Sequence, residues 1–196
     1  RGSVRMSSTG PAGARTSFRR GSGERNVHHN CGFRAAFVVT PPKRAYRAIS
    51  VDPAGLPAGK EFLADIVLRR VTERSRVATA GVGAYCLRFA LDPLQPDESF
   101  VLEMKDGAAE IRACGFAGFL YGAGKFLRTI EYSADAIGVR AGFFAERPRS
   151  VFRNAYMARH FGNWYDRAPV ALQNAYVEDL ALWGINGIST MIVTPV

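Results

Sequence analysis

The segment SFVLEMKDGAAEIRAC, residues 99–114, constrains the fold more than any other part of the sequence. Two strand-like runs flank Asp106-Gly107, and this dipeptide supplies the positive backbone φ angles that a two-residue hairpin turn requires. In the first run, large apolar residues alternate with other residues, so one face of the hairpin is directed mainly towards a core. The segment therefore predicts a β-hairpin over residues 99–114.

The segments on either side of the hairpin predict further strands and two helices. Apolar side chains recur at helical intervals over residues 59–75 and again in GFAGFLYGAGKFLRTIEYS, residues 115–133. Glycines 118, 122 and 124 each weaken the second helix by roughly 1 kcal/mol relative to alanine, but they allow it to lie close to a sheet. Apolar runs predict strands at residues 33–40, 46–52, 85–91 and 136–144. This order predicts an α/β sandwich with helices covering one sheet face.

A second pattern begins after ERPRS, residues 146–150, where we place a domain boundary. Residues 151–159 predict a strand, Pro169 suits the first turn of a helix, Gly184 suits its end, and residues 188–193 predict a buried strand. A helical stripe, which we expect to be buried, consists of Leu172, Tyr176, Leu180 and Trp183. One βαβ unit cannot cover its own sheet edge and helix face. We therefore expect most of this second domain to lie outside the sequence.

The positive charge of the chain is concentrated near its beginning. The formal net charge is +9, but nine of the 26 Lys and Arg residues lie at or before Arg44, against the single acid Glu24. Residues 1–30 are rich in Gly, Ser and Arg and hold few large apolar residues, so they predict a disordered basic leader. The sequence does not begin with Met, which favours a fragment.

Several classes of site are disfavoured by the sequence. The cysteines, Cys31, Cys86 and Cys114, are odd in number and widely spaced, and they indicate neither a disulfide framework nor a zinc site. The adjacent His28 and His29 do not form a metal-ligand pattern. The Gly-Val-Gly of residues 81–83 lacks the other residues of a phosphate-binding loop. No apolar run approaches the roughly 20 residues that cross a membrane. We expect no metal, no cofactor and no membrane partner.

Two motifs carry a resemblance to a known family. Residues 118–127, GFLYGAGKFL, follow the hairpin with the pattern GxxYGxxxFL. The domain that contains them resembles the small domain preceding the catalytic barrel in family 20 β-N-acetylhexosaminidases and in α-glucuronidases. The segment from Phe152 resembles the first strand, helix and second strand of their (β/α)₈ barrel, particularly relatives with the pattern R-G-x-Y-x-x-x-H-F-x-N-x-Y. The resemblance covers residues 46–196.

The resemblance implies hydrolysis of a glycosidic bond by a pair of carboxyl groups. In hexosaminidases of this family, an Asp-Glu pair follows the fourth barrel strand, which lies beyond this sequence. No residue here is therefore predicted to be catalytic, and we expect the chain alone to be inactive. Asn154 stands where the family has Gly, the Asp of the family's strand pattern is missing, and two fewer residues separate Arg153 from Arg159. These departures favour a more distant relative.

The resemblance also implies sugar contacts around the loop MARHFGNWYDRAP, residues 157–169. Arg153 matches an arginine that binds sugar hydroxyls, a role suited to its planar set of donors. His160 and Asp166 can bond to hydroxyl groups, and Trp164 or Tyr165 can stack on a pyranose ring. Alternatives remain open, because His160 can be satisfied by the backbone, Trp164 can pack under the loop, and Asp166 can cap the following helix.

We therefore predict a disordered leader (1–30), a small α/β domain (31–147) and the start of a TIM barrel (148–196). The predicted function is that of a glycoside hydrolase fragment with a carbohydrate partner and no nucleic-acid partner. The first alternative is a non-catalytic carbohydrate-binding or interaction module, and the second is a nucleic-acid-binding α/β domain. The compartment is not fixed by the sequence, although the family resemblance is compatible with a secreted or periplasmic protein.

Overall fold

The computed structural model describes residues 23–28, 31–37, 43–157 and 164–190. The chain divides into two compact units, Arg1–Pro42 and Lys43–Val196. In the first unit, β1 (Gly23–His28) pairs antiparallel with β2 (Cys31–Phe37), in a register that joins Gly23 to Phe37. The second unit begins at Lys43, whereas the predicted α/β domain begins at residue 31.

Strand β1 lies in the leader that composition predicts to be disordered. The prediction counted apolar side chains, whereas a hairpin ladder is made by backbone N–H and C=O groups, which every residue but proline supplies. The structure therefore differs from the prediction over residues 23–28. Residues 1–22 lie outside the described residues, and their disorder stays a prediction.

A five-stranded mixed sheet forms the centre of the second unit. Its parallel part contains β4 (Ile49–Asp52), β5 (Tyr85–Leu91) and β7 (Ala108–Ala113). Its antiparallel part adds β6 (Phe100–Met104) and β10 (Gly142–Glu146). The strand order is β10-β6-β7-β5-β4. Strands β6 and β7 form the predicted hairpin, and β5 has the predicted bounds.

Helices α1 (Phe62–Thr72) and α2 (Phe116–Thr129) cover one face of this sheet. The alternation of strand β5 explains why one face is covered. Tyr85, Leu87 and Phe89 are buried, while Arg88 between them is exposed. Charged side chains of β6 and β7 lie on the opposite face. The predicted α/β architecture with helices on one sheet face is thus confirmed. The largest fully buried side chains of the unit are Tyr85, Phe119, Phe126, Ile49, Leu63, Leu87, Leu102 and Met104.

The hairpin turn differs from the predicted geometry. Gly107 has a φ of +77°, but among the described non-glycine residues only Glu98 has a positive φ, so Asp106 does not. The hydroxyl of Tyr46 explains the difference. It donates to Asp106 Oδ1 at 2.6 Å and accepts from the Gly107 N–H at 2.9 Å. A side chain distant in sequence therefore helps to shape this turn.

Two predicted strands are each divided between two sheets. The run 46–52 becomes β3 (Arg44–Tyr46) and β4, and the run 136–144 becomes β9 (Ile137–Val139) and β10. Strands β3 and β9 pair with each other, and β9 also pairs with β8 (Glu131–Tyr132) in a separate three-stranded sheet. Periodicity alone did not reveal where a strand leaves one sheet for another.

The glycines of α2 permit the close approach predicted from the sequence. A Cβ at Gly122 would lie 2.5 Å from Ile111 Cγ2, and one at Gly118 would lie 2.7 Å from Ala113 Cβ and collide with the Ser99 carbonyl. All three contacted residues belong to the sheet or, in the case of Ser99, directly precede β6. Glycine lowers the intrinsic stability of the helix, but the close packing against the sheet that only a hydrogen side chain allows offsets this cost.

The last part of the unit is a βαβ arrangement. It contains β11 (Asn154–Met157), the short helix α3 (Trp164–Arg167), helix α4 (Val170–Leu182) and β12 (Gly187–Thr190). Strands β11 and β12 pair in parallel, with Asn154 opposite Gly187. Gly184 has a φ of +92° directly after the helix, where the sequence predicts its end. Residues 158–163 and 191–196 lie outside the described residues.

The predicted burial of this βαβ arrangement is wrong at several positions. Trp183 is 69% exposed, Leu172 is 53% exposed and Ile188 is 43% exposed, although the sequence pattern placed all three in a core. Periodicity marked these side chains as apolar positions on one face, but it did not show whether anything covers them.

We predict that Gly118→Ala lowers the free energy of unfolding by about 1–3 kcal/mol, because the added methyl group meets the Ser99 carbonyl and Ala113. Urea unfolding followed by circular dichroism measures the change. Gly115→Ala is the matched control, since a Cβ at this extended position before α2 meets nothing within 4 Å. Equal effects of the two substitutions would contradict this account of helix packing.

Candidate functional site

The predicted sugar-contact loop follows β11 at its carboxyl end. Strands β11 and β12 are parallel, so their carboxyl ends lie at the same edge of the small sheet. His160 lies outside the described residues, and the side chain of Asp166 is likewise not described. Their roles therefore stay predictions, whereas the backbone of α3 and the side chains of Trp164 and Tyr165 are defined.

Three aromatic rings of α3 and α4 form a cluster. Trp164 packs edge-on against Tyr165 and Tyr176, with ring centroids 5.4 and 5.6 Å away, and the two tyrosine rings are 5.7 Å apart. The hydroxyls of Tyr165 and Tyr176 lie 3.4 Å apart, and this hydrogen bond, with burial, raises the pKa of Tyr176. Trp164 remains 46% exposed. The cluster therefore fixes an indole ring in place while part of its surface stays open to solvent.

Arg153 lies at the opposite, amino-terminal end of β11, where its side chain is held by protein groups. Its Nε donates to the Gly184 carbonyl at 2.5 Å, and one terminal nitrogen donates to the Ser150 carbonyl at 2.6 Å. The other terminal nitrogen donates to the Tyr121 hydroxyl at 3.0 Å and pairs with Glu98 at 2.9 Å. In this structure Arg153 thus anchors β11, and its predicted contact with sugar stays a prediction.

Glu98 is the acidic partner in this arrangement, and the sequence analysis did not find it. Its carboxylate accepts hydrogen bonds from Arg153, from Asn186 at 3.2 Å and from Tyr121 at 3.4 Å. Partial burial acts to raise the pKa of Glu98, but the hydrogen bonds from Asn186, Arg153 and Tyr121 outweigh it and hold the pKa below its ordinary value. We call these four residues the Glu98 cluster. No local pattern marks it, because its members are far apart in sequence.

A second ionic group joins α1 to α4. Arg69 and Arg70 both bond to the Glu178 carboxylate, at 2.6 Å each, and Arg70 also pairs with Asp179 at 3.1 Å. Arg70 is buried, and the same terminal nitrogen that pairs with Asp179 also donates to the Ala175 carbonyl at 3.0 Å. A buried arginine with this many acceptors is compensated for its lost hydration. The ionic group is thus part of the packing between helices.

Two clefts border the Glu98 cluster. One of about 160 Å³ is lined by Tyr121, Arg128, Arg153 and Trp183, among others, and one of about 410 Å³ is lined by Glu98, Arg147, Pro148 and Asn186, among others. Across the first cleft, the Arg128 guanidinium lies 4.3 Å from the centre of the Trp183 ring. Trp183, predicted to be in the core, thus lies at the rim of a cleft and stacks on a cation.

The described residues offer no metal site and no assigned catalytic pair. Among residues 43–157 and 164–190, no three His, Cys, Asp or Glu side chains come close enough to hold a metal ion. Within that same part of the chain, every helix is too short or too polar to cross a membrane. The carboxyl pair implied by the resemblance belongs after a fourth barrel strand, and none of the acids described above is assigned to it.

Solved structures of family 20 glycoside hydrolases share the fold of this chain. A chitobiase from Flavobacterium johnsoniae matches with a TM-score of 0.60 and 19% identity, over 78% of this chain and 25% of the chitobiase. An exo-β-N-acetylglucosaminidase from Vibrio harveyi, solved with N-acetylglucosamine, matches with a TM-score of 0.57 and 15% identity, over 78% and 24%. An N-acetyl-β-hexosaminidase from Streptomyces plicatus gives 0.58 and 18%, over 78% and 32%.

The chain has the fold of part of a family 20 glycoside hydrolase. The predicted resemblance to family 20 is thereby confirmed at the level of the fold, whereas the resemblance to α-glucuronidases stays a prediction. The chain spans about a quarter to a third of the length of these hydrolases. No family sequence model matches it. No curated protein matches it in sequence either.

We predict that acid weakens the folded state partly through Glu98. Its folded-state pKa lies below the ordinary value of 4.5, so its contribution is present above that value and is lost as pH falls through the folded-state pKa. Glu98→Gln should lower the free energy of unfolding by about 1–2 kcal/mol near neutral pH. The difference from the unsubstituted chain should shrink as the pH falls through the lowered pKa of Glu98.

Urea unfolding at a series of pH values measures this difference. Glu110→Gln is the control, since it removes one negative charge from an exposed pair with Arg112 on the sheet face. If the difference between Glu98→Gln and the unsubstituted chain is the same at all pH values, the carboxylate of Glu98 does not stabilise the fold by its charge.

Proposed function

We propose that this chain is part of a glycoside hydrolase whose catalytic domain is a (β/α)₈ barrel beginning with β11, α4 and β12. The observation that carries the proposal is the fold match to family 20 hydrolases over 78% of the chain. That share corresponds in length to the whole second unit, whereas residues 43–147 alone make up only about half of the chain. The match therefore supports a common origin for both the α/β domain and the βαβ arrangement.

The exposed apolar side chains of the βαβ arrangement support the barrel. Parallel sheets are buried on both faces in α/β proteins, and two strands with one crossover helix cannot achieve this alone. Tyr156, Leu172 and Ile188 are each more than two-fifths exposed. Further βα units beside β12 and β11 would cover them. An isolated binding module of the same residues has no comparable explanation for this surface.

The proposed substrate is a carbohydrate, bound at the carboxyl-end edge of β11 and β12. Barrel enzymes bind substrate at that face, through the loops that follow the strands. The Trp164 ring is held by two tyrosines with part of its surface open, an arrangement suited to stacking on a pyranose ring. His160, Tyr165 and Asp166 belong to the same loop and helix, and we include them as hydroxyl-binding candidates. The matched Vibrio harveyi enzyme was solved in complex with N-acetylglucosamine, which suggests the first sugar to test.

The decisive experiment determines the open reading frame that surrounds this sequence and expresses its product. We expect further βα units and an adjacent Asp-Glu pair at the end of a later strand. The expressed protein should hydrolyse chromogenic β-glycosides, and β-N-acetylglucosaminide is the first to assay. Replacing the Glu of that pair by Gln should lower kcat by about 100-fold or more, as loss of a general acid does. A frame without barrel continuation, or a folded protein that hydrolyses none of a broad glycoside panel, would overturn the proposal.

We further predict that Trp164→Ala weakens binding of N-acetylglucosamine oligomers about two- to tenfold, the range that a lost aromatic contact of roughly 0.5–1.5 kcal/mol gives. Isothermal titration calorimetry on the longer protein measures the affinity. Trp183→Ala is the matched control. It removes the other, more exposed tryptophan of the chain, which follows the carboxyl end of α4, whereas Trp164 precedes the helix on α3. Weaker binding in the Trp183 variant and unchanged binding in the Trp164 variant would place the sugar elsewhere.

A further inference from the structure

The strongest unexplained feature of the described residues is the backbone of Glu98. Its φ is +58°, and no other non-glycine residue described in the structure has a positive φ. An L side chain in this region is strained, and such strain persists only where the surroundings over-determine it. Glycine would adopt the same backbone without strain. Since glycine would avoid the strain, the presence of Glu98 points to a role for its carboxylate.

The Glu98 carboxylate lies where two parts of the second unit meet. We call residues 43–146 the small domain and residues 153–190 the βαβ unit. Glu98 and Tyr121 belong to the small domain, and Arg153 and Asn186 belong to the βαβ unit. The carboxylate bonds to Arg153 directly before β11 and to Asn186 directly before β12. One acidic group thus contacts the amino-terminal end of both parallel strands.

Backbone bonds extend this contact into the strand pair. The N–H groups of Asn186 and Gly187 both donate to the Arg153 carbonyl, at 3.0 and 3.2 Å. The Arg153 backbone N–H donates in turn to the Asn186 side-chain oxygen at 2.9 Å. The side-chain nitrogen of Asn186, Nδ2, also donates to the Val151 carbonyl at 2.7 Å. The position of Arg153 therefore sets the register at which β11 and β12 begin to pair.

We propose that Glu98 is a positioning residue through which the small domain fixes Arg153 and thereby the start of the β11–β12 pair. The strained backbone is retained because it directs the carboxylate at Arg153 and Asn186 together. Tyr121 completes the arrangement from α2, since its hydroxyl accepts from Arg153 and donates to Glu98. Glu98 would have this role whether or not the chain derives from a hydrolase.

The test compares three substitutions at position 98. Glu98→Gln keeps the shape of the side chain and removes its charge, and Glu98→Asp keeps the charge on a shorter side chain. Glu98→Gly removes the carboxylate and relieves the strained φ. A residue without a positioning role would gain stability on substitution by glycine at a positive φ. A positioning residue would not, because the guanidinium of Arg153 would lose its acidic partner.

The decisive readout is hydrogen exchange measured by NMR at named groups. Arg153 Nε–H, which donates to the Gly184 carbonyl, and the Asn186 and Gly187 amides report on the start of the strand pair. The Leu102 and Ile111 amides of the hairpin report on global unfolding. In Glu98→Gln and Glu98→Gly we expect exchange at the first three groups to rise roughly two- to hundredfold more than exchange at the hairpin amides, the range of direct pair couplings. Glu98→Asp should restore part of the protection.

A double-mutant cycle of Glu98→Gln with Arg153→Met separates the pair from the rest of the protein. Because Glu98 acts partly through Arg153 and partly through its own bond to Asn186, exchange at the Asn186 and Gly187 amides in the double variant should rise by less than the product of the two single effects. Multiplicative effects of the two substitutions would overturn the proposal, as would an equal rise at the hairpin amides or slower exchange in Glu98→Gly. Circular dichroism identifies variants that fail to fold, and Glu98→Asp then provides the comparison at the same groups.

Discussion

Helix α2 makes the contact on which the rest of the second unit depends. Towards the sheet, Gly118 and Gly122 bring its backbone against the hairpin strands, where no side chain fits. Towards α4, Gly124 does the same, because a Cβ there would collide with the Leu182 carbonyl. One helix therefore meets a sheet and another helix at backbone distance. Buried apolar side chains such as Phe119 and Phe126 fill the space around these approaches.

The contact at Gly124 explains the chemistry of the junction around it. A helix end that abuts another backbone leaves carbonyl groups without water, and these need donors. Arg128 donates to the Leu182 carbonyl at 2.8 Å, and Arg153 donates to the Gly184 carbonyl. Further along α4, Arg70 reaches the Ala175 carbonyl and two acidic side chains. Arginine suits positions 70 and 153 because its planar group can serve a carbonyl and a carboxylate together.

Local patterns predicted most of the elements but little of the junction. The hairpin, strand β5, both helices of the α/β layer and the parallel βαβ arrangement follow from periodicity and from Gly and Pro positions. The splitting of two strands between sheets depends on pairing partners distant in sequence, and so does the role of Tyr46 in the hairpin turn. The Glu98 cluster joins residues as much as 88 positions apart. The exposure of Trp183 was not predicted, because apolar residues at helical spacing show which face of a helix is apolar but not whether another element covers it.

The two ends of β11 bear on the sugar-contact prediction in different ways. The resemblance matched Arg153 by its place in a motif, and a motif does not say which protein groups a side chain meets in the fold. At the amino-terminal end of the strand, its donors meet two carbonyls, a hydroxyl and a carboxylate, all from the protein. A substrate that bound this guanidinium would have to replace hydrogen bonds already made, and the strand register would change with them. In the loop that follows the carboxyl end of β11, Trp164 offers a ring that is 46% exposed and is held by two tyrosines. A sugar would therefore meet less competition from protein groups at Trp164 than at Arg153, whose donors already hold the start of β11 in place.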